Sequence, residues 1–181
     1  MKPIFPMAAA TLFALVAATP VSADDGDGRG CSNASLKGRY GLATHGERFG
    51  VYDASGAIHF YTGPSGDLAP VRVDQISEET FDGHGNTTQT ASVFANGSST
   101  TGGAFTMPPA AGTYSVIPDC TGTEVFPNFM ERVFVLSNGG RTIHILETYL
   151  HLTLPAAASA GVDCSKGCDL AVQFYTDGER Y

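Results

Sequence analysis

Glu147, Tyr149 and His151 stand at every second position of Thr142–Leu152, a run whose alternation is that of a β-strand. Strand geometry therefore puts them on one face with Ile143 and Ile145, and His144, Leu146, Thr148, Leu150 and Leu152 on the other. A carboxylate, a phenol and an imidazole along one wall of a cavity form a proton-handling set. Burial raises a carboxyl group toward neutrality, where imidazole already titrates. The alternative puts this face in solvent toward its later end, with Ile143 and Ile145 covered by a loop, because alternation alone does not choose the inward side.

A second polar group comprises His45, with Glu47 and Arg48 beside it, and His59 with Tyr61 on one side of the next strand; these would rim a pocket mouth and bind a ligand. The five histidines show no His-x3-His spacing, so no metal site is expected. His84 falls in a turn and reads as solvated. Nucleophile elbow, HExxH, Walker and dinucleotide signatures are absent, and no cofactor is expected. Asp24-Asp25-Gly26-Asp27 lacks the remaining ligands of a calcium loop. Asn33-Ala-Ser35, Asn86-Thr-Thr88 and Asn96-Gly-Ser98 fit the glycan acceptor pattern, which matters only in a host with that machinery.

The elements that must carry these residues are strands. After residue 23 helical periodicity is almost absent, while short alternating runs bounded by Gly, Pro, Asn and Asp recur. Strands are expected near residues 38–45, 49–53, 57–62, 71–79, 87–94, 103–107, 112–117, 123–126, 132–137, 142–152 and 169–175. Asp82–Asn86, Pro118–Gly122 and Asn138–Gly140 supply turn residues between apolar runs and predict three hairpins, hence a meander. So many strands must close into a barrel or stack as a sandwich to hide their edges, and the meander favours an all-β antiparallel barrel. Gly97–Gly103 reads as a hairpin tip and Leu154–Gly161 as a surface connection. No internal repeat of fixed period is present.

Lys2, the apolar stretch Met7–Ala18 and Val21-Ser22-Ala23 form the three parts of a secretory signal, so residues 1–23 are expected to be removed. Residues 24–30 would be a flexible lead and 31–181 a single barrel domain, the length of one ordinary core. The apolar run is short for a membrane span, and none is expected. A formal net charge of −8 disfavours nucleic-acid binding. Export also bears on the four cysteines, Cys31, Cys120, Cys164 and Cys168, which permit three disulfide pairings. Cys31 with Cys120 and Cys164 with Cys168 is the favoured pairing, and zinc is the competing use.

Four segments carry a resemblance: Cys31–Gly41, Thr80–Asn86, Gly112–Thr123, and Val133-Phe134-Val135 through Ile145. In order and spacing they resemble a group of small exported bacterial proteins of unassigned function. The resemblance implies a compact barrel similar in outline to lipocalins and to the allene oxide cyclase and dirigent barrels, with the first and second cysteines joined. It implies no catalytic residue. The stretch from Glu47 to Leu68 and the Cys164/Cys168 tail depart from that group's pattern.

Three functions fit these features. The first is a periplasmic or extracellular barrel that binds a small apolar or aromatic molecule in its interior, in keeping with eleven Phe and seven Tyr. The second is a cofactor-free isomerase or cyclase with Glu147, Tyr149 or His151 moving a proton. The third is a structural protein with a filled core.

Overall fold

The computed structural model describes residues 30–95, 105–154 and 159–181. The signal segment, most of the lead, the hairpin tip read over Gly97–Gly103, residues 155–158 of the connection, and the motifs at Asp24 and Asn96 lie outside them.

Nine strands follow in chain order: β1 (Gly38–Tyr52), β2 (Ile58–Phe60), β3 (Val71–Phe81), β4 (Asn86–Ala95), β5 (Phe105–Val116), β6 (Thr121–Phe126), β7 (Met130–Ser137), β8 (Thr142–Leu152) and β9 (Cys168–Arg180). Each of β3 to β8 pairs antiparallel with its successor, and β9 pairs with β1 from Tyr40↔Arg180 to Val51↔Leu170. With β1 also paired to β3, eight strands close into a barrel, and β2 adds only to the late end of β1. Barrel closure removes the edges that an open sheet would expose. The sandwich alternative does not form.

The expected hairpins are present. Asp82 accepts hydrogen bonds from the Asn86 side-chain amide at 2.6 Å and from the Asn86 and His84 backbone amides at 3.0 and 2.6 Å, which together, the side-chain bond first, pull its carboxyl down to about 2. Asp119 accepts from the amide and hydroxyl of Thr121 in the second turn. The third runs Asn138, Gly139 and Gly140 through positive φ of 52°, 64° and 77°, which suits its residues.

Two expected breaks are continuous strand. β1 runs unbroken through Gly46 because β9 passes close there: a Cβ on Gly46 would lie 2.1 Å from the Gln173 carbonyl oxygen. β5 runs through Pro108-Pro109 because the β4–β5 ladder steps from Gln89↔Ala110 to Ala91↔Met107, and β6 pairs only with Thr113–Val116. The prolines thus sit where no ladder amide is required.

Side chains fill the barrel in three layers. One end is apolar, with Tyr40, Leu42, Phe81, Tyr114, Phe134, Leu136, Ile143 and Ile145 capped by Cys31 and Leu36 of the N-terminal segment. Phe81 meets Tyr40 and Tyr114 edge-on at 5.3 and 5.1 Å. The other end packs Val51, Val73, Phe126, Met130, Leu150, Leu170 and Phe174 against Leu154, Ala160, Val162, Cys164 and Cys168. Between them lies a polar layer.

Both disulfides join the favoured partners. Cys31–Cys120 spans 89 residues and ties the cap to the turn between β5 and β6. Cys164–Cys168 spans 4 and closes a loop against the opposite end. Such bonds belong to an oxidising compartment. Among the described residues no helix is long and apolar enough to cross a membrane.

Loop-closure entropy assigns about 4–5 kcal/mol to the long bridge and about 2 kcal/mol to the short one. Urea unfolding of the Cys31→Ser/Cys120→Ser and Cys164→Ser/Cys168→Ser double variants should show that order. Equal losses would contradict the assignment of closure to the Cys31 cap.

Candidate functional site

The buried polar layer centres on Arg132. In β7 this residue has the inward parity of Met130, Phe134 and Leu136, and its side chain is fully buried. Its Nη1 donates to Glu79 Oε2 and Glu124 Oε2, both at 3.2 Å, and its Nη2 donates to Glu147 Oε1 at 3.2 Å. The guanidinium also lies 5.5 Å from the Phe126 ring centroid. Thr87 donates to Glu79 Oε1 at 2.7 Å and Gln89 donates to Glu79 Oε2 at 3.2 Å. A Thr44–Thr176 hydroxyl pair, 2.6 Å apart, joins β1 to β9 in the same layer.

Three carboxyl groups therefore share one cation. Burial, and then the adjacent Glu79, push Glu124 well above the ordinary carboxyl range. Burial likewise raises Glu147, with Arg132 acting in the opposite direction. The layer thus favours the protonated form of Glu124 and Glu147 more than water does. Glu124 Oε1 and Arg132 Nε have no partner among the described groups.

Glu147 occupies the interior as its parity requires, but Tyr149 and His151 do not. Arg132 pairs with Glu147 and Glu131 with Tyr149, so Thr148 is an extra residue in β8 that reverses the alternation. Leu150 turns inward, while Tyr149 and His151 turn outward. The expected Glu147–Tyr149–His151 wall is therefore split across the barrel wall.

That irregularity also opens the wall's outer surface. The β8–β9 ladder stops at Leu146↔Tyr175 and resumes at His151↔Asp169. The β1–β2 hairpin stands beside this break, creating a cleft of about 660 Å³. Phe49, Tyr52, Phe60 and Tyr149 give it four aromatic side chains, and Asp53 and Asp169 give it two carboxylates.

Each carboxylate is held by a histidine. Tyr149 Oη and His151 Nδ1 both donate to Asp169 Oδ1, at 2.8 and 2.7 Å. The His151 bond, followed by that of Tyr149, lowers Asp169, and the reciprocal bond raises Tyr149 and keeps it a phenol. The Tyr149 and His151 rings are stacked, 6.4 Å between centroids. Gly167 lies against the far side of His151: a Cβ there would be 2.0 Å from Nε2. His59 Nε2 donates to Asp53 Oδ2 at 2.8 Å, while Ser55 and the Ala57 amide fill Oδ1. These bonds, Ser55's first, hold Asp53 far below the usual carboxylate range.

The remaining candidates are dispersed. His45 is exposed on the outer wall, donating to Asp74 at 2.9 Å beside neither the cleft nor the interior. Tyr61 packs against the apolar end near Cys164, under the Arg48 guanidinium at 5.2 Å, and burial raises its phenol. Sequence reasoning missed Glu79, Glu124 and Arg132, and also Asp53 and Asp169. The first three were visible as charges on the apolar parity of their strands. The last two carry no such mark, since their importance depends on pairing across the β1–β2 turn and the β8–β9 break.

A second concavity of about 590 Å³ on the outer wall is lined by Ile117, Val133, Val135, Leu146 and Tyr175, with the His144–Asp177 pair at its edge. Among the described residues no cluster of His, Cys, Asp and Glu could hold a metal ion.

No protein-family model matches the chain, and no curated protein or solved structure matches it.

Glu124 and Glu147 titrate near 4.3 when unfolded and higher when folded, so their stabilising effect is complete below about 4.3 and is lost as pH rises through the folded values. The urea midpoint should fall as pH rises above about 5, and Glu124→Gln, which mimics the protonated group, should reduce that fall by at least about half. An unchanged slope would refute the raised titration of Glu124. Arg132→Met should cost at least about 3–5 kcal/mol by leaving three carboxyl groups without a cation.

Proposed function

We propose that the protein is an exported binding module that takes up a small molecule with an aromatic or apolar face in the cleft between the β1–β2 hairpin and the β8–β9 break. The observation that carries this reading is the convergence of four aromatic side chains and two ionised carboxylates on one concavity of ligand size. It keeps a small apolar or aromatic ligand as the partner but moves the site from the barrel interior, which is packed with side chains, to its outer wall. His59 and His151 then act as positioning residues for the carboxylates.

A cofactor-free isomerase is less well supported. A general base needs a free basic atom facing the substrate. Here Tyr149 Oη and His151 Nδ1 both donate to Asp169, and His151 Nε2 lies against Gly167; the free Asp169 Oδ2 belongs to a carboxylate that these bonds hold below its ordinary range, which makes it a weak base. Glu147 is buried on Arg132 inside the wall. A purely structural role leaves the exposed Phe60 and Ile58 without purpose.

Export belongs to the same proposal: the three-part signal at residues 1–23 and the two formed disulfides support it. So does kinship with the small exported bacterial, lipocalin-like barrels, supported by the turn phrases at Asp82, Pro118 and Asn138. Intact mass of the protein from its own source should correspond to cleavage after Ala23 with both disulfides formed.

A panel of small aromatic compounds, titrated against isotopically labelled protein, should shift resonances of Tyr149, Asp169 and the Asp53–Ile58 turn. Phe60→Ala should weaken binding by about tenfold with the fold retained, in line with about 1.4 kcal/mol for one lost aromatic contact. Compounds that shift only interior residues would return the site to the barrel core.

A further inference from the structure

We infer that the cleft selects an organic cation, an amine or quaternary ammonium carried on a flat or apolar body, over its neutral and anionic counterparts. The inference rests on the cleft being the binding site and adds the charge of its ligand.

The lining combines Phe49, Tyr52, Phe60 and Tyr149 with Asp53 and Asp169 and includes neither lysine nor arginine. Aromatic faces carry negative quadrupole potential and attract a cation within about 6 Å. Carboxylates beside them add to that potential, and an anion brought into the same space meets only repulsion and lost hydration. The formal charge of the whole chain, −8, extends the attraction outward.

Hydrogen-bond accounting separates a cation from a neutral sugar, which would also favour aromatic faces. Sugar hydroxyls need several free donors and acceptors. Of the side-chain groups in this cleft most are already committed: both Asp53 oxygens accept from Ser55, Ala57 and His59, Tyr149 donates to Asp169, and the Thr148 hydroxyl donates to the Glu131 carbonyl. Asp169 Oδ2 has no partner among the described residues, and its side chain is half exposed. An ammonium group needs only the negative potential, the ring faces and that one oxygen.

Three probes of one shape test this: 2-phenylethylammonium, 2-phenylethanol and phenylacetate, titrated by NMR into the full mature protein at low salt. The ammonium probe should bind at least about tenfold more tightly than the alcohol, and phenylacetate most weakly, with the preference shrinking at high salt. Asp169→Asn retains a carbonyl acceptor for Tyr149 and His151, and should bring the ammonium and alcohol probes within about threefold of each other. Equal binding of ammonium and alcohol by the wild-type protein, a salt-independent preference, or tighter binding of a methyl glycoside would overturn the cation inference while leaving the cleft a binding site. If no probe and no glycoside shifts cleft resonances, the binding reading itself fails, and the inference with it.

Discussion

Arg132 sets the terms for the barrel interior. A guanidinium with no solvent contact must have its charge balanced and most of its donors met, or its burial costs more than the fold gains elsewhere. Glu79 from β3, Glu124 from β6 and Glu147 from β8 provide that balance, so one side chain of β7 fixes the relative positions of four strands. Replacing two carboxyl groups by neutral side chains would leave an ordinary ion pair. Keeping all three raises the carboxyl groups of Glu124 and Glu147 above their ordinary range, and so ties stability to pH. The apolar layers on either side exclude water and make both effects strong.

Much of the fold was legible because it follows from local chemistry. Asp82, Asp119 and Asn138 belong to turn types their side chains stabilise, and the alternating runs between them must pair as neighbours. What was not legible follows from tertiary contact. Gly46 reads as a strand breaker, yet it permits close passage of β9; Pro108-Pro109 reads as a terminator, yet falls in a gap of the ladder. Arg132 sat in plain view with inward parity between Met130 and Phe134, but a charged residue at such a position suggests an error in register until its partners on other strands are known.

The site was only partly legible for a related reason. Strand parity is reliable until a bulge intervenes, and no residue type marks Thr148 as the extra one. Beyond it, Tyr149 and His151 exchange faces with Leu150, so a trio expected to work together is divided between a buried ionic layer and an outer cleft. His59, proposed for a pocket rim, does reach that cleft through Asp53, whereas His45 joins Asp74 elsewhere on the wall.

The same bulge connects interior and cleft energetically. Glu147 must point inward to meet Arg132, and Leu150 must point inward to fill the apolar layer below it. They stand three positions apart, an odd difference that regular alternation cannot satisfy. An extra residue between them is therefore required, and its insertion breaks the regular β8–β9 ladder in the stretch that lines the cleft. Packing of the interior thus dictates where the wall opens, and a protein that fills its barrel with side chains acquires its ligand-sized concavity on the outside.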